Sequence, residues 1–519
     1  MYSTFHGLET ARRGMSTQQA ALHTTGHNIA NANTEGYTRQ RVNFSQTESF
    51  PGQGRNRPSV PGQLGTGVEA DFIQRIRDNY LDVQYRGENS KLGYWDTKHA
   101  SLEKIEDLMN EPSDDGIANT MDEFWTALQD LSTNPEDSGA RSVVRQRGIA
   151  LAETFNYTSD SLQANKKDLG AEITTTQDEV NSMLRQINNV NCQISRVEPH
   201  GDMPNDLYDE RDRLLDNLSG MISIETERVE SGGQPEAAAE GTMNVYLIGD
   251  DGERISALVD GENLDYKQLQ VETAAGGSYH EYVESASFRW EGESADHIED
   301  PDNAPEITFI NSPGKLQGLV ESFGYMDDGE TSGIYPELLN NLDEMVTTFS
   351  ARFNEVHNEG QGLNGSSDVD FFTFDENTLS QKGAAAALSI SDEIKEDLDN
   401  IAASTNGYAG DGSNAQALSD VKDEDLTFAG TTTDVQGFYQ GVIGDLAVET
   451  SEAERMAGNT DNLRSSVDSR RQEVGSVSLD EEMTNMIQFQ HAYNASARNI
   501  TMVDEMLDRI INNMGIVGR

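Results

Sequence analysis

The C-terminal end of this chain constrains its fold more than any other stretch. Leu479, Met486, Tyr493, Ile500, Leu507 and Met514 recur every seven residues, with Met483, Ala497 and Ile511 at companion positions interrupted by Gln490 and Asp504. Such repetition marks a helix that lays an apolar seam against a partner. At about 1.5 Å per residue this helix is roughly 54 Å long. Ser478 suits its N-cap with Glu481 as capping-box partner, and Gly515 suits its stop. The N-terminus repeats the pattern with weaker residues. Leu8, Met15, Leu22 and Ile29 are seven apart, but Ala11, Gln18 and Thr25 beside them are small or polar, and Gly26 weakens the helix further. A helix this polar needs a partner, and the natural one is the seam at the other end of the chain. Phe489, Val503 and Ile510 form a second row on the C-terminal helix. A helix with two apolar stripes wants more than one neighbour, which favours assembly over a monomer.

The interior is also helical. Phe155, Leu162, Leu169, Met183, Val190 and Val197 keep one seven-residue register, broken only by Thr176, while Ile173, Val180, Ile187 and Ile194 keep its companion. Pro199, His200 and Gly201 end this helix. Further helices are expected over 79–110, over 335–356 and over 435–474. From about 226 to 324 the helical period disappears. Met243 to Ile248 and Arg254 to Val259 read as strands around an Asp251-Gly252 turn, Tyr279 to Trp290 alternates in part, and Glu306 to Ile310 is another candidate strand. Residues 360–434 read as loops with short elements. The expected fold is mainly α: a long antiparallel helical rod or coiled coil formed from both chain ends, with an inserted all-β domain. Residues 1–45 plus 475–519 form a terminal coiled-coil, inner-tube domain. Residues 46–225 plus 325–474 form a long-helix rod, and 226–324 a β insert with few contacts to that rod.

Charge removes several functions. With 37 Lys and Arg against 91 Asp and Glu, the net charge is −54, so no basic face exists to hold nucleic-acid phosphates. No run of 18 apolar residues suggests membrane insertion. Met1 to Ser16 lacks the apolar stretch of a secretory signal peptide. Cys192 is the single cysteine, so no internal disulfide and no cysteine zinc site can form. The basic residues are 27 Arg and 10 Lys, and such acidity suits a salty medium that screens self-repulsion.

Catalytic and metal-binding motifs fail on their context. His23 and His27 have zinc-site spacing, but Thr stands where a zinc protease needs its Glu. Gly360, Gly362 and Gly365 match a dinucleotide-binding pattern by letter, yet follow a helix rather than a strand. Asp209, Glu210, Asp212 and Asp216 interleave with Arg211 and Arg213, which reads as a solvated helix face. Ser278, Tyr279, His280, Asp296 and His297 in the insert offer no spaced triad. No catalytic residue, cofactor or metal ligand is assigned; loose Ca²⁺ on the acidic surface is left without ligands.

The chain ends carry a resemblance. Asn28-Ile-Ala-Asn31-Ala-Asn-Thr34-Glu-Gly36-Tyr37-Thr-Arg-Gln40 resembles the N-terminal signature of bacterial flagellar rod, hook and hook-associated proteins. Residues 478–506, with Gln488-Phe-Gln-His-Ala-Tyr493, are similar to their C-terminal signature. Within that group the interior resembles the FlgK family of hook-associated proteins, through Tyr208-Asp-Glu-Arg-Asp-Arg-Leu-Leu-Asp216, Phe353-Asn-Glu-Val-His-Asn-Glu-Gly360 and Asp370-Phe-Phe-Thr-Phe374. A hook or distal-rod protein is the alternative, but these lack a long central coiled coil such as that expected at 155–197. The resemblance implies a structural protein of the bacterial flagellum, secreted unfolded by the flagellar type III system to the extracellular hook–filament junction. It implies an adaptor ring of copies of the chain itself. The implied partners are the hook protein, a second hook-associated junction protein and a flagellar export chaperone.

Overall fold

The computed structural model describes residues 4–50, 62–109, 116–274, 281–290, 312–327, 330–428 and 430–513. Met514, Gly515, residues 306–310, Ser278, Tyr279, His280, Asp296 and His297 lie outside them. The chain begins with helix α1 (Thr4–Ala30) and a hairpin of β1 (Gln40–Gln46) and β2 (Val68–Arg75). The rod follows as α2 (Asn79–Met109), α3 (Ile117–Thr133), α4 (Ser138–Val197) and α5 (Asn205–Met221). A seven-stranded sheet contains β3 (Ile224–Val229), β4 (Thr242–Ile248), β5 (Arg254–Asp260), β6 (Asp265–Thr273), β7 (Val283–Trp290), β8 (Tyr325–Asp327) and β9 (Glu330–Ser332), in that order. All its neighbours are antiparallel except β7 and β8, which meet in parallel at Val283 and Tyr325. Helix α6 (Lys315–Phe323) precedes β8, and α7 (Ile334–Asn358) returns to the rod.

A lobe of short elements follows: β10 (Phe372–Phe374), α8 (Glu376–Lys382), α9 (Ala384–Ala387), β11 (Leu388–Ile390), α10 (Asp392–Glu396), α11 (Ser413–Asp420), β12 (Leu426–Phe428) and β13 (Thr431–Thr433). The chain closes with α12 (Val435–Gly475) and α13 (Leu479–Asn513). Helix α12 returns antiparallel along α2, with Arg471 stacked on Tyr85 at 4.2 Å.

The seven-residue registers survive as burial. Phe155, Leu162, Leu169, Ile173, Val180, Ile187 and Ile194 of α4 are all buried, and Gly201, with φ +86°, turns the chain just past the helix. The helix has 60 residues, starting 17 before the expected 155; its length is roughly 90 Å. Arginines and glycines interrupt the apolar register in that first part. Arg141 is buried there and donates to the carbonyls of Pro135, Leu398 and Ile401. Gly148 allows the lobe to approach, since a Cβ there would lie 2.8 Å from Ile390 Cδ1.

Two expectations need correction. Residues 315–323 are helical, too short for a period to declare itself. The insert also makes extensive contact with the rod. Val245, Leu247, Leu258, Val259 and Leu269 of the sheet form one continuous core with Val180, Leu184 and Ile187 of α4.

The lobe is anchored on aromatic rings. Phe124 and Trp125 of α3, Phe349 and Phe353 of α7, and Phe371 and Phe372 pack together, the last two with centroids 4.9 Å apart. His357 sits buried at the edge of this cluster. Its Nδ1 lies 2.6 Å from the Val369 carbonyl, and its Nε2 accepts from the Ala402 N–H at 2.9 Å. That places the proton on Nδ1 of a neutral ring. Burial pushes the imidazole down to about 4, against the upward pull of Val369 and Asp370. The unfolded chain takes up this proton near pH 6.5 and the folded one only near 4. The stability that neutral His357 contributes is therefore present above pH 6.5 and lost as pH falls to 4. The expected loss is roughly 3 kcal/mol. Urea unfolding across this range, compared with His357→Gln, checks it; parallel pH curves for the two proteins would contradict it.

Candidate assembly site

The two chain ends lie side by side, antiparallel. A Cβ on Gly7 would sit 3.8 Å from Val503 Cγ2, and one on Gly14 3.2 Å from Ser496 Oγ. Asn28 Nδ2 donates to Glu482 Oε2 at 3.1 Å. Each step of seven along α1 thus matches a step of seven back along α13, and the same register sets buried Ala21 opposite Phe489. Small residues at this spacing let the backbones approach closely. The hairpin covers the adjoining face of α1: Thr17 Oγ1 donates to the Val68 carbonyl, and Phe44 packs edge-on against Phe489 at 6.1 Å.

The expected seam residues flank this line of closest approach. Leu8, Met15, Leu22, Ile29, Met486, Tyr493, Ile500 and Leu507 are half-buried, and Leu479 is exposed. Of the second row, Phe489 and Val503 are turned inward, filling the space above the small residues of α1, while Ile510 stays exposed. The large apolar residues left exposed on α13 are Leu479, Met483, Ile487, Met502, Met506, Ile510 and Ile511.

The signature residues make the turn that ends α1. Asn31 Nδ2 donates to the His27 carbonyl, Thr34 Oγ1 to Asn31 Oδ1, and the Tyr37 N–H to the Thr34 carbonyl. Gly36 has φ +78°, a conformation that L side chains rarely adopt, and Arg213 lies against it. Asn28 is a hub. Its Oδ1 accepts from Tyr37 Oη at 2.8 Å and from the Gln40 N–H at 3.0 Å, and its Nδ2 donates to the Gln40 carbonyl at 2.8 Å. Arg39 ties the turn to α13 through Glu482 at 2.8 Å and Glu481 at 2.7 Å. His27 Nδ1 lies 3.0 Å from Tyr37 Oη, and His23 is exposed.

Below this turn lies a buried ionic clamp, and here the reading of 209–216 as a solvated face is overturned for Asp209, Arg211, Asp212 and Asp216, while Glu210 and Arg213 pair with each other at the surface. Asp209, Asp212 and Asp216 share one face of α5 because their spacing is three and four residues. Arg75 Nη1 bonds Asp209 at 2.7 Å and Asp212 at 2.9 Å, and its Nη2 bonds Glu240 at 2.6 Å. Arg77 reaches Asp82 at 2.6 Å and Asp212 at 3.3 Å. Arg86 bonds Asp212 at 3.3 Å and Asp216 at 2.8 Å; Arg471 bonds Asp82 at 3.0 Å and Asp216 at 2.6 Å. Asp212 is 4% exposed and Arg211 fully buried. Burial alone would raise the Asp212 carboxyl, but Arg77, Arg75, Arg86 and Arg211 hold it far below the usual carboxylate range. For Asp209 burial outweighs Arg75 and the carboxyl is raised. The arginines come from the hairpin end with the adjoining α2 and from α12, so with α5 and Glu240 the clamp joins segments distant in sequence. Thr38 N–H to Asp209 and Gln40 Nε2 to Asp206 tie the chain-end turn to the same helix.

Arg75, Arg77, Arg86 and Arg471 went unnoticed in the sequence, and Glu482 stood out only as part of the C-terminal signature. The signal available was the three aspartates, three and four residues apart on one helical face. The glycines at 360, 362 and 365 build a packed turn: a Cβ on Gly360 would collide with Asn414, and only Gly365 of the three has positive φ. Among the described residues, no group of three or more His, Cys, Asp or Glu is placed to hold a metal, and no helix is long and apolar enough to cross a membrane.

Residues 102–372 match the family described as the flagellar hook-associated protein FlgK helical domain. Residues 8–38 match the flagella basal body rod protein family, and 471–514 the C-terminal family of the flagellar basal body rod FlgEFG proteins. The chain is 45% identical to flagellar hook-associated protein 1 of Bacillus subtilis over 100% of both chains. It is 24% identical to the Escherichia coli protein of that name, over 97% of this chain and 99% of that one. The fold is similar to the flagellar hook junction protein FlgK of Burkholderia pseudomallei, with TM-score 0.59 and 15% identity over 77% of this chain and 100% of that one.

Proposed function

From its membership of the FlgK family of flagellar hook-associated proteins, we propose that this chain is a structural protein of the bacterial flagellum at the junction between hook and filament. The observation that carries the reading is the clamped pair of chain-end helices. It offers neighbours a rigid helix, α13, with exposed apolar residues, and holds it firmly to the rod. Charge supports the division of labour. Residues 1–45 hold four Arg and two Glu, and 475–519 hold three Arg and six acidic residues, so the terminal pair carries −1 of the chain's −54. Copies can pack through these ends without mutual repulsion, while the acidic body stays in solvent, screened by salt.

In this reading Leu8, Met15, Leu22, Ile29, Leu479, Met486, Tyr493, Ile500, Leu507 and Met514 belong to an inner coiled-coil layer. The rod forms a second layer and the sheet faces outward. Copies form an adaptor ring that contacts the hook protein on one side and a second hook-associated protein on the other. Export unfolded through the flagellar type III channel, with a chaperone, suits a chain whose single cysteine permits no internal disulfide. The work is structural, with no chemical step. The rod-protein matches at both ends are short, whereas the FlgK match spans half the chain. Electron microscopy of cells lacking this chain tests the reading. Hooks without filaments, with flagellin shed into the medium, are expected; normal filaments would refute it.

A further inference from the structure

Helix α4 carries carboxamides at Gln177, Asn181, Asn188 and Asn191 along the side that meets the sheet, and the strands they meet have open edges. Strand β6 pairs with β7 from Lys267 to Thr273 but with β5 only at Asp265 and Tyr266. Past that point, among the described residues, the β5-side edge of β6 has no strand beside it. Asn181 occupies it: its Nδ2 donates to the Leu269 carbonyl at 2.9 Å and its Oδ1 accepts from the Leu269 N–H at 2.6 Å. Gln177 Oε1 accepts from the Val271 N–H at 2.9 Å. The same arrangement recurs on β4, whose pairing with β5 runs from Val245 to Ile248. One step beyond, Asn191 donates to the Met243 carbonyl at 2.9 Å and accepts from its N–H at 3.2 Å. Asn188 Nδ2 caps the Leu264 carbonyl at 3.0 Å.

A carboxamide presents the donor and acceptor of a peptide unit, so Asn181 and Asn191 each make the two bonds that a neighbouring strand residue would make. Uncapped strand edges are templates for pairing with another chain. We propose that this amide row caps the sheet: α4 stands in for the missing strand beside β4 and β6, fastens the sheet to the rod, and denies those edges to other copies of the chain. The inference concerns the single chain and does not depend on the functional reading.

Hydrogen–deuterium exchange and sedimentation velocity on the full chain test it together. Asn181→Leu is expected to speed exchange over 267–273 by roughly ten- to a hundredfold and to produce concentration-dependent association. Asn189→Leu, on the exposed face of α4, is expected to do neither. Unchanged exchange in Asn181→Leu, or faster exchange without association, would overturn the proposal. Should Asn181→Leu lose its helical circular dichroism, Asn181→Asp takes its place, keeping the acceptor for the Leu269 N–H and losing the donor to its carbonyl. Fast exchange at Leu269 and Met243 in the unaltered chain would overturn the proposal without any variant.

Discussion

Asp212→Ala is expected to destabilise the folded chain by about 3–5 kcal/mol, the cost of leaving buried cations without their counter-charge. Asp212 is within 3.3 Å of Arg75, Arg77 and Arg86, and Arg211 adds its field. Removing the carboxylate leaves Arg75 and Arg86, both almost wholly buried, with Asp209, Asp216 and Glu240 as remaining partners. Because the clamp joins the hairpin, α2, α5 and α12, the terminal helices should loosen from the rod before the rest unfolds. Urea denaturation gives the magnitude, and limited proteolysis near residues 31–40 and 475–478 locates the opening. A loss below about 1 kcal/mol would mean that the ion pairs barely offset their own desolvation.

Ile487→Asp is expected to abolish filaments while leaving the isolated chain as stable as before. Ile487 is 55% exposed on α13, and surface substitutions usually stay within about 0.5 kcal/mol. If α13 packs against neighbouring copies, the aspartate enters an apolar contact without a partner, at a cost of several kcal/mol. Each 1.4 kcal/mol is about tenfold in affinity, so assembly should fall by roughly a hundredfold or more. Ile500→Asp should also block filaments, but Ile500 is half-buried beside α1, so that change also weakens the helical pair within the chain. Filament counts in cells expressing each variant, with circular dichroism of the purified chains, separate the two effects. Normal filaments with Ile487→Asp would remove α13 from the contact between copies.

The helices were legible because their apolar residues repeat every seven positions over long stretches. The expected helix over 335–356 is α7 (Ile334–Asn358), and that over 435–474 is α12. Elements shorter than a full period, such as α6, give no such signal. The pairing of the chain ends was legible; its register was not. Two adjacent apolar rows run along α13, and only the small residues Gly7, Gly14 and Ala21 decide that Phe489 and Val503 face inward. The clamp was hidden because a charged residue looks solvated until its partners are known. Arg75 and Asp212 are far apart in sequence, and no periodicity links them. The amide caps on α4 were hidden for the same reason, since Asn181 meets backbone groups, which carry no sequence signal.

The central claim is a place: one chain forming the boundary between hook and filament. Immunogold labelling of intact flagella with an antibody against residues 224–290, the outward-facing sheet in this account, tests it most directly. A single narrow band of gold at the hook–filament boundary is the predicted result. Label spread along the filament, along the hook or confined to the cell body would contradict it.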